Sequence, residues 1–147
     1  MFKTLTLLSF SLSALLAQDG YEIFQKKCVM CHSMYKPNNM EENKKIVAPP
    51  IPVAMRSVVI GVDAIEEPKD ATELKQMSIE FLKDYIKNPS PEKGYCEDKS
   101  YKRFGTMPSV KGFISNEQID IVVPWVYDNY SPKKDKNGKY KVSSKKK

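Results

Sequence analysis

Histidine is nearly absent from this chain: its 147 residues include one, His32. A single imidazole has no spare role, and no serine–histidine arrangement stands out around it. No glycine-rich phosphate loop and no patterned carboxylate pair for acid–base work can be picked out either. Cysteine is scarce and odd in number, at three, so the thiols cannot all be consumed in internal disulfides. No apolar run is long enough for a comfortable membrane span. The one candidate, "TLTLLSFSLSALL" at 4–16, is followed by no basic stop-transfer cluster. No lipobox cysteine follows it, which argues against a lipid anchor.

What is present begins with that same segment. A positive start at Lys3, an uncharged apolar stretch and small residues up to Ala17 read as a secretory signal peptide, residues 1–17, cleaved after Ala17. An uncleaved N-terminal anchor is the alternative. The expected location is the periplasm. The remainder divides into one small domain, 18–131, and a lysine-rich tail, 132–147, expected to be disordered. The formal net charge of the whole chain is +6, and residues 133–147 alone contribute eight lysines and one aspartate. The body from 18 to 132 is left slightly acidic, so no nucleic acid is expected as partner of the folded domain. The tail can make weak, salt-screened contact with a membrane surface or an acidic partner.

The chemistry concentrates in "CVMCHSMY", 28–35, which holds two of the three cysteines and the lone histidine. A thiol–disulfide Cys-x-x-Cys is expected beside a strand, yet no β-branched strand precedes Cys28. Its flanks are helical, with Asp19 and Glu22 spaced as a capping box. A structural zinc needs about four ligands, and adjacent Cys31 and His32 serve poorly as simultaneous ligands of one tetrahedral ion. The remaining reading of C-x-x-C-H is the attachment signal of a c-type heme. Two thiols about a turn apart, Cys28 and Cys31, can meet the two vinyl groups of one porphyrin. His32 then rises beneath the iron as proximal ligand. A second histidine ligand is excluded within the chain, so a methionine thioether is the plausible sixth ligand. Met34 is too close to His32 to reach the other face. Met40, Met55, Met77 and Met107 remain, with Met55 and Met77 in apolar settings and Met107 in the turn-rich "FGTMPS".

The rest of the pattern is helical. "SIEFLKDYIKN", 78–88, reads as a helix capped by Ser78, with Phe81, Leu82, Tyr85 and Ile86 on one face and Pro89 ending it. "SNEQIDIVVPWVYDNY", 115–130, has a Ser115/Gln118 capping box, an apolar stripe through Ile119, Val122, Val123 and Val126, and an interrupting Pro124. An all-α fold around an internal prosthetic group follows.

At these residues the chain resembles the class I c-type cytochromes, the family of mitochondrial cytochrome c and its bacterial periplasmic relatives. "GYEIFQKKCVMCH" is similar to that family's N-terminal helix and heme motif, with Gly20 and Phe24 where the family's N- and C-terminal helices cross. Val122, Trp125 and Val126 match the opposing positions. "APPI" at 48–51 resembles the family's Gly-Pro-x-Leu stretch, which implies that the carbonyl of Pro49 accepts the Nδ1–H of His32. Ala48 stands where the family has glycine. "DYIKNP" resembles the central helix end, and Tyr85 matches an aromatic that bonds the methionine sulfur. "FGTMPS" resembles the axial-methionine loop and so implies Met107. The resemblance implies a small cytochrome c fold with terminal helices crossing around one covalent heme c, its iron held by His32 and Met107. Residues 53–76 and 90–104 are longer than that family's minimum and read as insertions.

The function implied is that of a periplasmic single-electron carrier rather than an enzyme, since both axial positions are filled. Its partners would be redox donors and acceptors, membrane respiratory complexes or periplasmic dehydrogenases. The alternative is a mono-heme subunit of a periplasmic oxidoreductase complex, such as a sulfur-compound oxidation system. A gas-binding or peroxide-reducing heme protein would need Met107 off the iron. Cys96, among polar neighbours, is expected to be an accessible thiol that does not bind iron.

Overall fold

Asp19 stops the incoming chain by accepting a hydrogen bond from the Glu22 N–H, and α1 runs Gly20–Lys27. Gly20 has a packing reason to lack a side chain: a Cβ there would collide with Cβ and Cγ of Trp125. That contact presses α1 onto the last helix, and Ile23 and Phe24, one turn on, are buried completely or nearly so. These details come from a computed structural model that describes residues 19–141. The signal-peptide reading of 1–17 lies outside the described residues.

The architecture is a small six-helix domain with little strand, all-α in general terms. After α1 come α2 (Met40–Lys45), α3 (Ile51–Ile65), α4 (Ala71–Tyr85), α5 (Asp98–Phe104) and α6 (Asn116–Tyr130). α6 packs on α1, α4 and α3, and α3 packs on α4. The core is built from Ile23 and Phe24 of α1, Met55, Val59 and Val62 of α3, and Ile119, Val122 and Val123 of α6. The Ser115/Gln118 capping box is present at the start of α6, and Pro124 lies inside that helix. Among the described residues no helix is long and apolar enough to cross a membrane.

Three regions differ from the sequence reading. α4 begins seven residues before Ser78, capped by Asp70 through the N–H groups of Thr72 and Glu73. Ser78 lies inside the helix, fully buried, its hydroxyl without a hydrogen-bond partner. The apolar stripe extends backward through Met77 and Leu74, so burial rather than a hydroxyl cap sets the start. Most of residues 53–76, read from the sequence as an insertion, is α3 together with the first turns of α4. α3 is rich in β-branched residues of modest helix propensity, and Pro50 and Pro52 prepare its first turn.

The third difference lies in the tail, 132–147, expected to be disordered. Within it, Lys133–Lys134 (β1) and Tyr140–Lys141 (β2) pair antiparallel as a hairpin. The Asp135 carboxylate accepts from the N–H groups of Asn137 (2.8 Å) and Lys139 (3.1 Å), and Gly138 takes the positive φ that the turn requires. Lys134 pairs with Asp63 of α3 at 2.8 Å. The Arg56 guanidinium, also on α3, donates to the Tyr140 carbonyl at 3.3 Å, while the Tyr140 ring packs against the core. Residues 142–147 lie outside the described residues.

Gly20→Ala tests the α1–α6 contact. Overpacking at a site with no room should cost about 1–3 kcal/mol, read as a lower urea midpoint. An unchanged midpoint would mean that the two helices do not meet at Gly20 and Trp125.

Candidate functional site

The cysteine–histidine motif is wound tightly at the end of α1. The Cys28 N–H bonds the Phe24 carbonyl at 2.9 Å, and the Cys28 carbonyl accepts from both Cys31 (3.1 Å) and His32 (2.9 Å). This turn leaves Cys28 half-buried against the core and Cys31 exposed. Burial, reinforced by neighbouring Cys31, pushes the Cys28 thiol up to about 11.

His32 follows, half-buried, with Nδ1 2.8 Å from the carbonyl oxygen of Pro49, the residue that the resemblance sets beside it. A carbonyl only accepts, so Nδ1 carries the proton and Nε2 the lone pair that can meet a metal or a proton. Burial lowers the basicity of His32, and the Pro49 bond acts in the opposite direction. The neighbouring Ile51 N–H donates to the Ser33 carbonyl at 2.8 Å, closing the base of the 33–50 loop.

Two adjoining cavities open beside this motif. The inner one, of about 150 Å³, is walled by Phe24, Met55, Val58, Leu82, Val122 and Val126 among others. The outer cleft, of about 390 Å³, is bordered by Met30, Val47, Pro108 and Phe113. Cys28, His32, Pro49, Phe104, Gly105, Met107 and Val110 line both and form the seam between them. Together the cavities have the size of a small-molecule or cofactor site, roughly 300–1,000 Å³. Their mostly apolar walls with a few polar groups suit a mainly apolar ligand.

Met107 reaches the seam on the segment that follows α5. Gly105 ends that helix at φ 71, its N–H bonded to the Tyr101 carbonyl. The segment is then tied to the end of α4: Val110 N–H donates to the Ile86 carbonyl (3.0 Å) and Ser109 Oγ to the Lys87 carbonyl (2.6 Å). Of the other methionines, Met55 lines the inner cavity, and Met77 packs against the core. The Met34 sulfur accepts from Gln25, and Met40 is exposed.

Tyr85 also lines the inner cavity, but its hydroxyl meets that of Tyr101 at 3.4 Å rather than a methionine sulfur. α5 delivers Tyr101 to that place, and Gly94 leaves the room, since a Cβ there would overlap the Tyr101 hydroxyl. Burial, then the neighbouring Tyr101, raises the Tyr85 phenol well above its ordinary range.

The sequence reading missed the contribution of 90–104, which supplies Cys96, Ser100, Tyr101 and Phe104 to the inner wall. Cys96 was expected in the open. It is half-buried, and burial raises its thiol, only partly offset by the Ser57 hydroxyl. The cause is Tyr95, which lies against Gly61 of α3 and 4.7 Å from the Phe81 ring, drawing the segment onto the body. Among the described residues no group of three or more His, Cys, Asp or Glu is placed to hold a metal ion.

Fold and site thus define a small helical protein with an apolar cavity bordered by a Cys-x-x-Cys-His turn. A protein of Aquifex aeolicus (strain VF5), described as an uncharacterized protein, is 34% identical over 127 residues, which cover 82% of this chain and 80% of that protein. The chain belongs to the same family as this Aquifex protein. No protein-family model matches the chain, and no solved structure matches it.

Thiol labelling tests the placement of the cysteines. In the chain free of any cofactor, native maleimide treatment followed by mass spectrometry should modify Cys31 first. Cys28 and Cys96, less exposed and with raised thiols, should react more slowly until the protein unfolds. Equal rates at Cys96 and Cys31 would place Cys96 in the open.

Proposed function

We propose that this protein is a class I c-type cytochrome that carries single electrons in the periplasm. The observation that supports the reading best is that Cys28 and His32 line the same apolar cavity as Met107, some 75 residues further along the chain. The finer fold reading belongs to the same proposal: α1 and α6 would be the crossing terminal helices, with Gly20 and Trp125 at their contact.

A heme bound here supplies reversible one-electron chemistry at its iron. Cys28 and Cys31 would hold it by thioethers, each thiol adding its sulfur and its hydrogen across a vinyl double bond with no net oxidation. His32 would offer Nε2 to the iron, its ring fixed by the Pro49 carbonyl. Met107 would offer its thioether from the pinned segment after α5. With His32 and Met107 both committed to the iron, the group would have no place left to bind a substrate. Phe24, Met55, Val122 and Val126 would keep water from the porphyrin faces, and low water access favours a raised potential. Cys31, Met30 and Val47 are exposed at the cleft, the side from which an electron would enter or leave. The partners are redox proteins of the same compartment.

Two measurements test the proposal. After acid–acetone extraction of protein matured in a cytochrome c-producing host, the heme should stay on the polypeptide, and in a Cys28→Ala/Cys31→Ala variant it should not. Intact heme released from the parent chain rules out covalent attachment. Met107→Ala should abolish the near-infrared sulfur–iron charge-transfer band of the oxidised protein while attachment persists. A surviving band would assign the sixth position to another methionine, with Met55 the next in the cavity wall.

A further inference from the structure

Charge is segregated in this chain to an unusual degree. Residues 133–147 hold eight of its 24 basic residues and one of its 18 acidic ones. The hairpin turns this composition into a surface. Asp135 is half-buried, and its carboxylate is engaged by N–H groups inside the turn and, at 3.7 Å, by the Lys141 ammonium, which stays exposed. Lys134 is committed to Asp63. Lys133, Lys136, Lys139 and Lys141 are exposed, and Lys145, Lys146 and Lys147 follow in sequence.

The hairpin is anchored to a particular face of α3. Arg56 and Asp63, its two polar attachment points, are seven residues apart and share one stripe of the helix. The cavity is lined from α3 by Ile51, Ala54, Met55 and Val58. At 3.6 residues per turn these two stripes are roughly 140° apart around the helix axis. The lysines are therefore held on a side of α3 turned away from the cavity, and whatever they bind need not cover it.

We infer that the C-terminal hairpin is an electrostatic docking surface for anionic lipid headgroups. The side chains on display distinguish a lipid surface from a folded protein partner. Lysine is depleted at protein–protein interfaces, where tyrosine, tryptophan, methionine and arginine are enriched. None of the large exposed apolar side chains among the described residues falls in 131–141, so the patch offers no hydrophobic anchor for a shaped pocket. A strongly hydrated point charge on a flexible stem suits a laterally mobile layer of phosphates, and clusters of four to eight basic residues are the usual means of holding it. The inference is independent of the heme proposal and survives its failure.

The test uses the full chain and sedimentation with vesicles of phosphatidylcholine alone or with about one third phosphatidylglycerol, at low and at physiological salt. Binding to the apolar 4–16 segment would be common to both vesicle types, so the difference between them is the readout. The parent chain should prefer the anionic vesicles, and the preference should fall with salt. The fourfold variant Lys133→Gln/Lys136→Gln/Lys139→Gln/Lys141→Gln should lose the preference by about tenfold or more. Its circular-dichroism spectrum and thermal midpoint should match those of the parent, and a variant that unfolds is replaced by Lys136→Gln/Lys139→Gln at the hairpin tip. No anionic preference in the parent, or an equal preference in the folded variant, overturns the inference. So does tighter binding to soluble poly-glutamate or to DNA than to the anionic vesicles at equal charge, because the patch would then be a general polyanion or protein site.

Discussion

The close approach of Gly20 to Trp125 is the contact on which the rest of the arrangement hangs. It lets α1 lie against α6 without an intervening side chain, and Phe24 then forms a triangle of rings with Trp125, 5.6 Å away, and Tyr130, 6.3 Å away, which also meet each other at 5.8 Å. Because α1 is only two turns long, fixing its first residue also fixes its last. The Cys-x-x-Cys-His turn is thereby held over the apolar stripe of α6 that walls the inner cavity. Lys27 adds a clasp from the same helix end, its ammonium bonding the Phe113 carbonyl at 3.0 Å and lying 4.3 Å from the Phe113 ring centroid.

The second organising feature is that the cavity wall is assembled from segments far apart in the chain. α3 and α6 supply apolar side chains, and the end of α4 supplies Tyr85. The 90–104 segment supplies a more polar patch, in which Cys96, Ser100 and Tyr101 come together near Tyr85. Arg103 of α5 also donates to the Asn43 carbonyl of α2, linking that segment to the 33–50 loop. The 90–104 segment is thus built into the wall of the candidate site.

Local signals in the sequence were read most accurately where they act alone. The Asp19 and Ser115 caps each satisfy helix N–H groups within three residues, so their effect is visible without the fold. Ser78 looked like a third such cap and is not one, because the apolar stripe of α4 continues past it into a buried contact with α3 and α6. The hairpin was obscured by composition. One aromatic, Tyr140, one ion pair, Lys134 with Asp63, and the Arg56 bond to the Tyr140 carbonyl hold a segment whose lysines otherwise read as solvated tail.

What the amino-acid sequence determined by itself was the helical character of the ends of the domain and the concentration of chemistry in Cys28, Cys31 and His32. These follow from interactions spanning a few residues. Tertiary structure decided which distant groups meet them. It brought Pro49 to His32 and Met107 to the same cavity, turned Cys96 inward through the packing of Tyr95 on Gly61, and folded 133–141 onto α3. Each of these depends on complementary shape or charge between segments tens of residues apart. Such complementarity exists only once the chain is packed, and no spacing in the sequence encodes it.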